Sequence, residues 1–293
     1  MRTGRRRGLV LAGALLAGGV AMVVGLLTSG GRATPSPTPP AAAHSRTRGA
    51  AQIEQATPTY GEAEESPQVR RLIALGRPIY CAGRRGDELA LTFDDGPGTY
   101  TRLAINKLRK HGIKATFFIV GRNIPLLPEA IRQERRLGSV GDHTFTHPLL
   151  TSLARSEVES EIVRTQVALE RASGGPVFLF RPPYGAHDAR VDAIAREHNL
   201  LEILWSADSQ DSLGADHAQI ERNVIAGMHP GAIILMHENH GQTIRAMLNI
   251  FAALKRKHLK AVSVARLLAD DPPSQAQVRA GGLGCSGGSS AGR

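Results

Sequence analysis

Residues 88–96 have the sequence ELALTFDDG, a short apolar run that ends in two adjacent carboxylates, Asp94 and Asp95. An apolar run of this length predicts a buried β-strand. Further strands are predicted at residues 115–120, 140–143, 177–180, 201–205, 232–237 and 260–262. Amphipathic helices are predicted between them, at residues 101–110, 129–136, 157–171, 190–198, 218–226 and 244–257. This alternation predicts an α/β fold with a mostly parallel sheet, and about seven β/α units favour a distorted (β/α) barrel over an open sheet.

Polar residues follow the ends of these predicted strands. They are Asp94, Asp95, His143, His147, Arg181, Asp208, Asp211 and His237. In a β/α barrel the carboxyl ends of the strands meet on one face, where catalytic groups gather. Any one of these residues could be a helix cap or an ordinary polar side chain. Their joint occurrence at successive strand ends favours an active site on that face.

The segment from His143 to His147 has the metal-binding spacing HTFTH. If it turns helically, both imidazoles can face one ion, and two His plus one carboxylate with an open position is a hydrolytic zinc arrangement. We expect the carboxylate to come from the Asp94-Asp95 pair. Adjacent residues of an extended strand point to opposite sides, so one Asp can coordinate the metal while the other faces the attacking water.

Five short motifs occur in order along the chain: Thr92-Phe-Asp-Asp-Gly96, His143-Thr-Phe-Thr-His147, Arg181-Pro-Pro-Tyr184, Asp208-Ser-Gln-Asp211 and Leu235-Met-His237. Together they resemble the motifs of the polysaccharide deacetylases, the NodB-homology group of carbohydrate esterases. The resemblance covers residues 86–270. It implies the distorted (β/α) barrel of that family and a metal-dependent removal of N-acetyl groups from amino-sugar polymers.

The resemblance also implies roles for individual residues. Asp95, His143 and His147 match the metal ligands, with zinc as the expected ion, and Asp94 matches the general base that takes a proton from the water activated by the metal. Arg181 is similar to the arginine that pairs with this base. We expect that cation to lower the pKa of Asp94 and to fix its rotamer.

The remaining matches concern the acetyl group and the leaving amine. Tyr184 resembles the residue whose backbone N–H stabilises the oxyanion, with Gly185 permitting the close turn that this needs. His237 matches the general acid and Asp211 the carboxylate that keeps it protonated. Leu235 resembles the apolar wall that contacts the acetyl methyl, although an ordinary core leucine fits the sequence equally well.

One position departs from the family pattern. Ser212 stands where the family usually has Trp after the second Asp of the fourth motif, so we expect an altered cleft wall. The single tryptophan, Trp205, is predicted to pack in the core.

The N-terminus predicts export. The chain has 36 Lys+Arg against 26 Asp+Glu, a net charge of +10, and residues 1–32 contain five Arg and no acidic residue. Arg2, Arg5, Arg6 and Arg7 precede a nineteen-residue apolar stretch from Leu9 to Leu27, which favours a membrane anchor with the rest of the chain outside the cytoplasm. A cleaved signal peptide, giving a secreted protein, remains the alternative.

Composition suggests four segments. Residues 1–32 form the Arg-rich start with the anchor or signal, 33–70 a disordered Pro/Ala-rich tether, 71–270 the deacetylase domain, and 271–293 a disordered Gly/Ser-rich tail. Two cysteines, Cys81 and Cys285, lie on either side of this domain, where an exported protein can form a disulfide. An unpaired tail cysteine is equally compatible with the sequence.

These observations predict a metal-dependent N-deacetylase that acts on a glycan, with cell-wall peptidoglycan or chitin-type oligosaccharides as the expected substrates. An O-acetyl (xylan-type) glycan esterase and a wall-binding module that has lost catalysis are the alternatives. Half of the excess positive charge belongs to the export segment and no basic-aromatic motif appears, so nucleic acid is not an expected partner. We expect a monomer that contacts the membrane through its N-terminal segment.

Overall fold

Parallel strands form the centre of the structure, a computed structural model that describes residues 63–285. The strands of this part of the chain are β1 (Glu88–Gly96), β2 (Ala115–Ile119), β3 (Gly138–Asp142), β4 (Leu179–Phe180), β5 (Leu201–Glu202), β6 (Ala207–Asp208), β7 (Ile233–His237) and β8 (Lys260–Val262). The helices are α1 (Pro67–Leu75), α2 (Thr101–His111), α3 (Pro128–Leu137), α4 (Arg155–Ser173), α5 (Ala189–Glu197), α6 (His217–Gly227), α7 (Gly241–Arg256), α8 (Val264–Asp270) and α9 (Gln275–Ala280).

The strand order shows that the sheet curls into an incompletely closed barrel. Seven strands pair side by side in the order β5-β4-β3-β2-β1-β7-β6, and β8 pairs with the first half of β1. Strands β5 and β6 are at opposite ends of this order, yet only residues 203–206 separate them in sequence. Four residues span at most about 14 Å, so the two edges of the sheet must approach each other. The predicted distorted barrel is therefore confirmed.

A segment before β1 fills the gap between the two edges. Ile79 forms a parallel bridge with Ile203, and the Leu204 N–H donates to the Ile79 carbonyl at 2.8 Å. On the other side of the gap Cys81 forms an antiparallel bridge with Ala232, the residue just before β7. This insertion satisfies backbone groups that would otherwise form exposed sheet edges.

Side chains along each strand alternate between the inside and the outside of the barrel. The inward side chains are apolar at the bottom of the barrel and polar at its top. On β7 the inward residues are Ile233, Leu235 and His237, while Ile234 and Met236 pack outward against the helices. Strand β1 follows the same pattern, with Ala90 in the inner apolar cluster and Thr92 and Asp94 above it. Helices α1 and α8 contribute buried side chains to this inner cluster, which leaves the carboxyl ends of the strands as the polar end.

The predicted elements are confirmed with shifted ends, and several elements were not predicted. Strand β6 has two residues and no apolar run, so sequence periodicity gave no sign of it. Helix α1 begins at Pro67 because the Ser66 hydroxyl accepts a hydrogen bond from the Val69 N–H, and it buries Val69, Leu72 and Ile73. The disordered tether predicted for residues 33–70 is therefore wrong from Ser66 onward.

The predicted disordered tail is also wrong over part of its length. Within residues 271–293, α9 is capped by Ser274, and a short 3₁₀ helix, Gly281–Cys285, follows it. The Gln277 amide donates to the Ala82 carbonyl at 3.1 Å, which holds this segment against the gap-filling strand.

The predicted membrane segment 1–32, residues 33–62 of the tether and residues 286–293 lie outside the described residues. Between residues 63 and 285, no helix has the length and apolar character to cross a bilayer.

Cys81 and Cys285 form a disulfide across a sequence separation of 204 residues. The bridge joins the gap-filling segment to the end of the described chain. It thereby settles the question of pairing that the sequence left open.

We predict that replacing both cysteines by serine lowers the free energy of unfolding by about 2–5 kcal/mol, because the bridge restricts the unfolded chain over a long loop. Urea unfolding of the double variant and of the oxidised wild type measures this difference. The reduced wild type serves as the control and should resemble the variant. Equal unfolding midpoints for all three proteins would contradict the prediction.

Candidate active site

The register of β1 against β7 places a carboxylate and an imidazole side by side at the top of the barrel. Asp94 is directly opposite His237, and Thr92 is opposite Leu235. Asp94 is 3% exposed and His237 9% exposed, so both groups are largely removed from water but His237 remains reachable.

Asp95 does not point away from Asp94 as expected for an extended strand. The pairing of β1 with β2 is irregular between Asp94 and Gly96, and Asp95 has φ +71°. This left-handed conformation turns the Asp95 side chain toward the same histidine that Asp94 approaches. The His143 Nε2 lies 3.7 Å from Asp94 Oδ2 and 3.7 Å from Asp95 Oδ1. Both carboxylates therefore approach His143, and a bulge produces this arrangement where strand alternation was expected to.

His143 and His147 converge through a tight loop, and the helical turn that the sequence suggested is absent from residues 143–147. Thr144 and His147 have φ +64° and +63°, and the His147 N–H donates to the Thr144 hydroxyl at 3.1 Å. The two imidazole rings are 4.9 Å apart, edge to face. This loop brings His147 Nε2 to 3.3 Å from Asp95 Oδ1.

The donor set formed by Asp95, His143 and His147 fits a divalent metal ion. Their ligand atoms lie within 4.8 Å of one another. Tetrahedral zinc ligands at about 2.0–2.2 Å from the ion lie roughly 3.4 Å apart, which the observed separations match. The His143 Nδ1–H donates to the Arg181 carbonyl at 2.7 Å, and since a carbonyl only accepts, Nε2 keeps its lone pair for a ligand. Burial lowers the pKa of His143 to about 3, so the imidazole is neutral, as a ligand must be.

Arg181 crosses the inside of the barrel to reach Asp94. Its side chain is fully buried, and Nη1 donates to Asp94 Oδ1 at 2.7 Å and to the Thr92 hydroxyl at 2.9 Å. Nε and Nη2 donate to the carbonyls of Ile203 and Leu204 at 3.0 and 3.2 Å. These contacts leave Asp94 Oδ2 as the oxygen that faces His143.

The predicted lowering of the Asp94 pKa by Arg181 is outweighed. Burial raises the pKa of Asp94, and although the charge and hydrogen bond of Arg181 lower it, the net direction is upward. A raised pKa makes this carboxylate a better proton acceptor than a carboxylate in water.

Asp211 and His237 form the expected pair. The His237 Nδ1–H donates to Asp211 Oδ1 at 2.7 Å, and the His237 backbone N–H donates to Oδ2 at 2.7 Å. The Thr243 hydroxyl also donates to Oδ2, at 2.6 Å. Burial lowers the pKa of His237, but the hydrogen bond to Asp211 and the charges of Asp94, Asp211 and Asp95 outweigh it and raise the pKa to about 9.

Tyr184 lies at the mouth of the site on a strained turn. It has φ +63° and is 68% exposed, and its ring contacts the His147 ring at a centroid distance of 4.8 Å. Gly185 also has φ +63°, and a Cβ there would come within 2.8 Å of the Trp205 ring. The predicted need for glycine after Tyr184 is confirmed. Trp205 is partly buried and packs against the inner apolar cluster.

Leu235 and Ser212 are the two residues for which the sequence raised a question about the wall of the cleft. Leu235 is 4% exposed on the inner face of β7, in register with Thr92. Ser212 is exposed, and its backbone N–H donates to Asp211 Oδ1 at 2.9 Å. Leu213 beside it is 78% exposed. The position at which the resemblance implies a tryptophan is therefore occupied by a small residue that faces solvent, next to Asp211.

Several residues that hold the site in place were not predicted. The amides of Asn123 and Asn239 donate to the Asp95 carbonyl at 3.1 and 2.7 Å, and Glu161 accepts the N–H groups of Phe145 and Thr146. Asn239 follows His237 by two residues and could have been noticed at the strand end. Thr243, Asn123 and Glu161 lie within predicted helices or loops, where nothing in the sequence marks them.

Comparison with known proteins agrees with this geometry. Residues 82–203 match the family model described as polysaccharide deacetylase. A peptidoglycan-N-acetylglucosamine deacetylase of Bacillus cereus is 34% identical over 183 residues, which is 60% of this chain and 66% of that enzyme. The family 4 carbohydrate esterase from Streptomyces lividans, solved in complex with acetate, has 34% identity and a TM-score of 0.59 over 66% of this chain and 100% of its own. The chain belongs to the polysaccharide deacetylase family.

Other members of the polysaccharide deacetylase family differ in what they do. A bifunctional xylanase/xylan deacetylase of Cellvibrio japonicus is 34% identical over 61% of this chain and 27% of its own length. A family pseudoenzyme from Bacillus anthracis has 29% identity and a TM-score of 0.61, covering 65% of this chain and 68% of that one. Membership of the family is therefore compatible with more than one substrate and with loss of catalysis.

We predict that Arg181→Met lowers the free energy of unfolding by about 3–5 kcal/mol, because it leaves the Asp94 carboxylate buried without its cation. Urea denaturation at neutral pH measures the effect.

The double variant Asp94→Asn/Arg181→Met is the matched control. Removing the carboxylate charge as well should recover about 0.5–3 kcal/mol of the loss. A double variant less stable than Arg181→Met alone would contradict the ion-pair explanation.

Proposed function

We propose that this protein is a metal-dependent hydrolase that removes N-acetyl groups from amino-sugar polymers, with cell-wall peptidoglycan or chitin-type oligosaccharides as substrates. The observation that carries the proposal is the division of roles around one ligand cluster. Asp94 offers a single free oxygen to that cluster, and His237, its neighbour on β7 and held by Asp211, offers a proton. A hydrolysis that breaks a C–N bond needs both.

Asp95, His143 and His147 hold the metal ion in this proposal. A zinc-like divalent cation bound there supplies Lewis-acid polarisation of the acetyl carbonyl. The neutral His143, with its Nδ1–H fixed on the Arg181 carbonyl, presents Nε2 to the ion without further rearrangement. The carbonyl of Asp95 is held by two asparagine amides, which keeps its carboxylate in place.

Asp94 is the general base. Arg181 holds Oδ1 at 2.7 Å, so Oδ2 is the oxygen that accepts the proton of the attacking water. Burial raises the pKa of Asp94 and makes its carboxylate a stronger base than one in water. The guanidinium also prevents rotation of the carboxylate, which keeps Oδ2 directed at the ligand cluster.

His237 is the general acid. Its Nδ1–H is engaged by Asp211, so the proton on Nε2 is the one donated to the nitrogen of the leaving amine. This donation is needed because an amide anion is a very poor leaving group. With its pKa raised to about 9, His237 is protonated at neutral pH.

Tyr184 and Leu235 complete the acetyl pocket. The backbone N–H of Tyr184 stabilises the negative charge that develops on the carbonyl oxygen. Leu235, on the same inner face as Asp94 and His237, contacts the acetyl methyl. Ser212 leaves the adjacent wall open, which suits a polymeric substrate that passes over the site.

The N-terminal sequence supports a cell-wall substrate through the location that it predicts. The Arg-rich start and apolar stretch of residues 1–32 have the pattern of an export segment, as either a membrane anchor or a cleaved signal. We therefore place the domain outside the cytoplasm, where the glycan is found. The Bacillus cereus relative adds support through its own peptidoglycan activity.

We predict that the zinc-loaded protein releases acetate from N-acetylglucosamine oligomers and from peptidoglycan fragments. Asp94→Asn, which keeps the shape of the side chain but removes the base, should lower the rate by about 10²–10⁴-fold. An acetate assay measures the rate, and mass spectrometry measures the loss of one acetyl group per modified sugar. Release of acetate at equal rates by the wild type and the variant would contradict the proposal.

We predict that kcat/KM falls as pH rises through about 9, where His237 loses its proton. Because the raised pKa depends on Asp211, the variant Asp211→Asn should lose activity at least about one pH unit lower. The pH profiles of both proteins test this. An alkaline limb at the same pH in both would contradict the assigned acid.

An O-acetyl glycan esterase is the second candidate, favoured by the xylan deacetylase relative. Ester cleavage releases an alkoxide, which needs less protonation than an amine.

We predict that His237→Ala lowers amide hydrolysis by about 10²–10⁴-fold and affects O-acetyl ester cleavage far less. Wild-type activity on both substrates is measured alongside. Wild-type cleavage of acetylated xylan without cleavage of N-acetylated oligomers would select the esterase. Release of no acetate from either substrate would favour the third hypothesis, a wall-binding module without catalysis. The Bacillus anthracis pseudoenzyme is a relative of this chain that is described as lacking activity.

A further inference from the structure

A second group of metal-type ligands lies on the loop that follows Tyr184. His187, Asp192 and Glu202 bring one imidazole nitrogen and two carboxylate oxygens within 4.8 Å of one another. The His187 Nδ1 is 2.9 Å from Asp192 Oδ1 and 3.7 Å from Glu202 Oε1. The three ligands come from three elements, the loop after Gly185, the first turn of α5, and β5.

Glu202 is the residue that indicates a missing partner. It is 4% exposed, and neither of its carboxylate oxygens accepts a hydrogen bond from any described residue. An ionised carboxylate buried in this way costs several kcal/mol unless a positive charge or a donor compensates for it. Burial raises the pKa of Glu202, and the nearby carboxylates of Asp192 and Asp188 raise it further.

Either a proton or a cation can compensate for this charge. A proton on Glu202 would satisfy one oxygen by donation to Asp192 and would leave the other without a donor. A divalent cation contacts both carboxylates and the imidazole at once. The geometry around His187 permits the cation, since the Tyr80 hydroxyl, 3.3 Å from Nε2, can accept the Nε2–H and leave the lone pair of Nδ1 for the ion.

The cluster is also accessible to an ion from solution. The His187 and Asp192 side chains are 25% and 18% exposed, while Glu202 forms the buried floor. One imidazole with two carboxylates is a donor set used by zinc and manganese, and open positions would be filled by water.

We propose that His187, Asp192 and Glu202 bind a second divalent transition-metal ion, separate from the site of Asp95, His143 and His147. The ion joins the loop of residues 183–188 to α5 and β5. This loop carries Tyr184 and Gly185 in their left-handed conformations, so the second ion is a structural one that holds the mouth of the active site.

The test is the zinc content of the purified full-length protein after dialysis against zinc and removal of excess, measured by elemental analysis. The wild type should hold two zinc ions per chain. Glu202→Gln, which imitates a protonated glutamic acid in shape, should hold one, and Asp95→Ala/His143→Ala should also hold one. Combining all three substitutions should leave none.

Two further variants keep the test decisive. His187→Gln changes a partly exposed ligand and should also reduce the content to one ion, even if Glu202→Gln does not fold. His198→Gln is the matched control, because His198 contacts Glu159 at 3.1 Å with the same 25% side-chain exposure as His187 but lies outside the cluster, and it should retain two ions.

One zinc ion in the wild type, lost in Asp95→Ala/His143→Ala and unchanged in Glu202→Gln and His187→Gln, would overturn the proposal and favour a protonated Glu202. The zinc count does not depend on deacetylase activity. An inactive protein with two zinc ions would therefore contradict the proposed function and leave this site supported.

Discussion

The buried ion pair between Arg181 and Asp94 links the closure of the barrel to the orientation of the base. Arg181 follows β4 and is hydrogen-bonded to β1 and to the carbonyls of Ile203 and Leu204, which connect β5 and β6. Strands β3 and β2 lie between β4 and β1 in the sheet, so Arg181 reaches Asp94 across the inside of the barrel. Because a buried guanidinium is stable only when its donors are satisfied, the curled sheet and the position of Asp94 depend on the same contacts. The ring of Phe118, 4.0 Å from the guanidinium carbon, supports it from below.

Backbone strain is concentrated where the proposed ligands meet. Residues in the left-handed region at or beside the site are Asp95, Thr144, His147 and Tyr184. Each such conformation costs about 1–3 kcal/mol and persists only when the surroundings fix it. Asn239 holds the Asp95 carbonyl and Glu161 holds the loop between the two histidines. The left-handed conformations allow neighbouring residues to direct their side chains at one point. The contacts of Asn239 and Glu161 stabilise these conformations and therefore keep the proposed ligands in position.

The sequence predicts the barrel and the residues that meet at its top, because apolar runs and strand-end polar residues follow the regular period of strands. It does not predict how Asp95 reaches the same histidine as Asp94, since this depends on a bulge that no pattern announces. A helical turn over residues 143–147 was the condition for His143 and His147 to converge, but left-handed residues at Thr144 and His147 bring the two rings together instead. Composition also misled near the end of the described chain, where α9 forms and is followed by the 3₁₀ helix that ends at Cys285, which is bonded to Cys81. The contact of Thr243 could not be predicted from the sequence, because its partner, Asp211, is 32 residues away.

The central claim is that Asp95, His143 and His147 bind one metal ion and leave Asp94 free to act as the base. Anomalous diffraction at the zinc absorption edge from crystals of the zinc-loaded protein tests it most directly. The account predicts a peak within about 2.0–2.2 Å of one oxygen of Asp95 and of Nε2 of both histidines. In the refined structure Asp94 should remain paired with Arg181. A zinc ion that is also coordinated by Asp94, or the absence of an anomalous peak between the two histidines, would contradict the account.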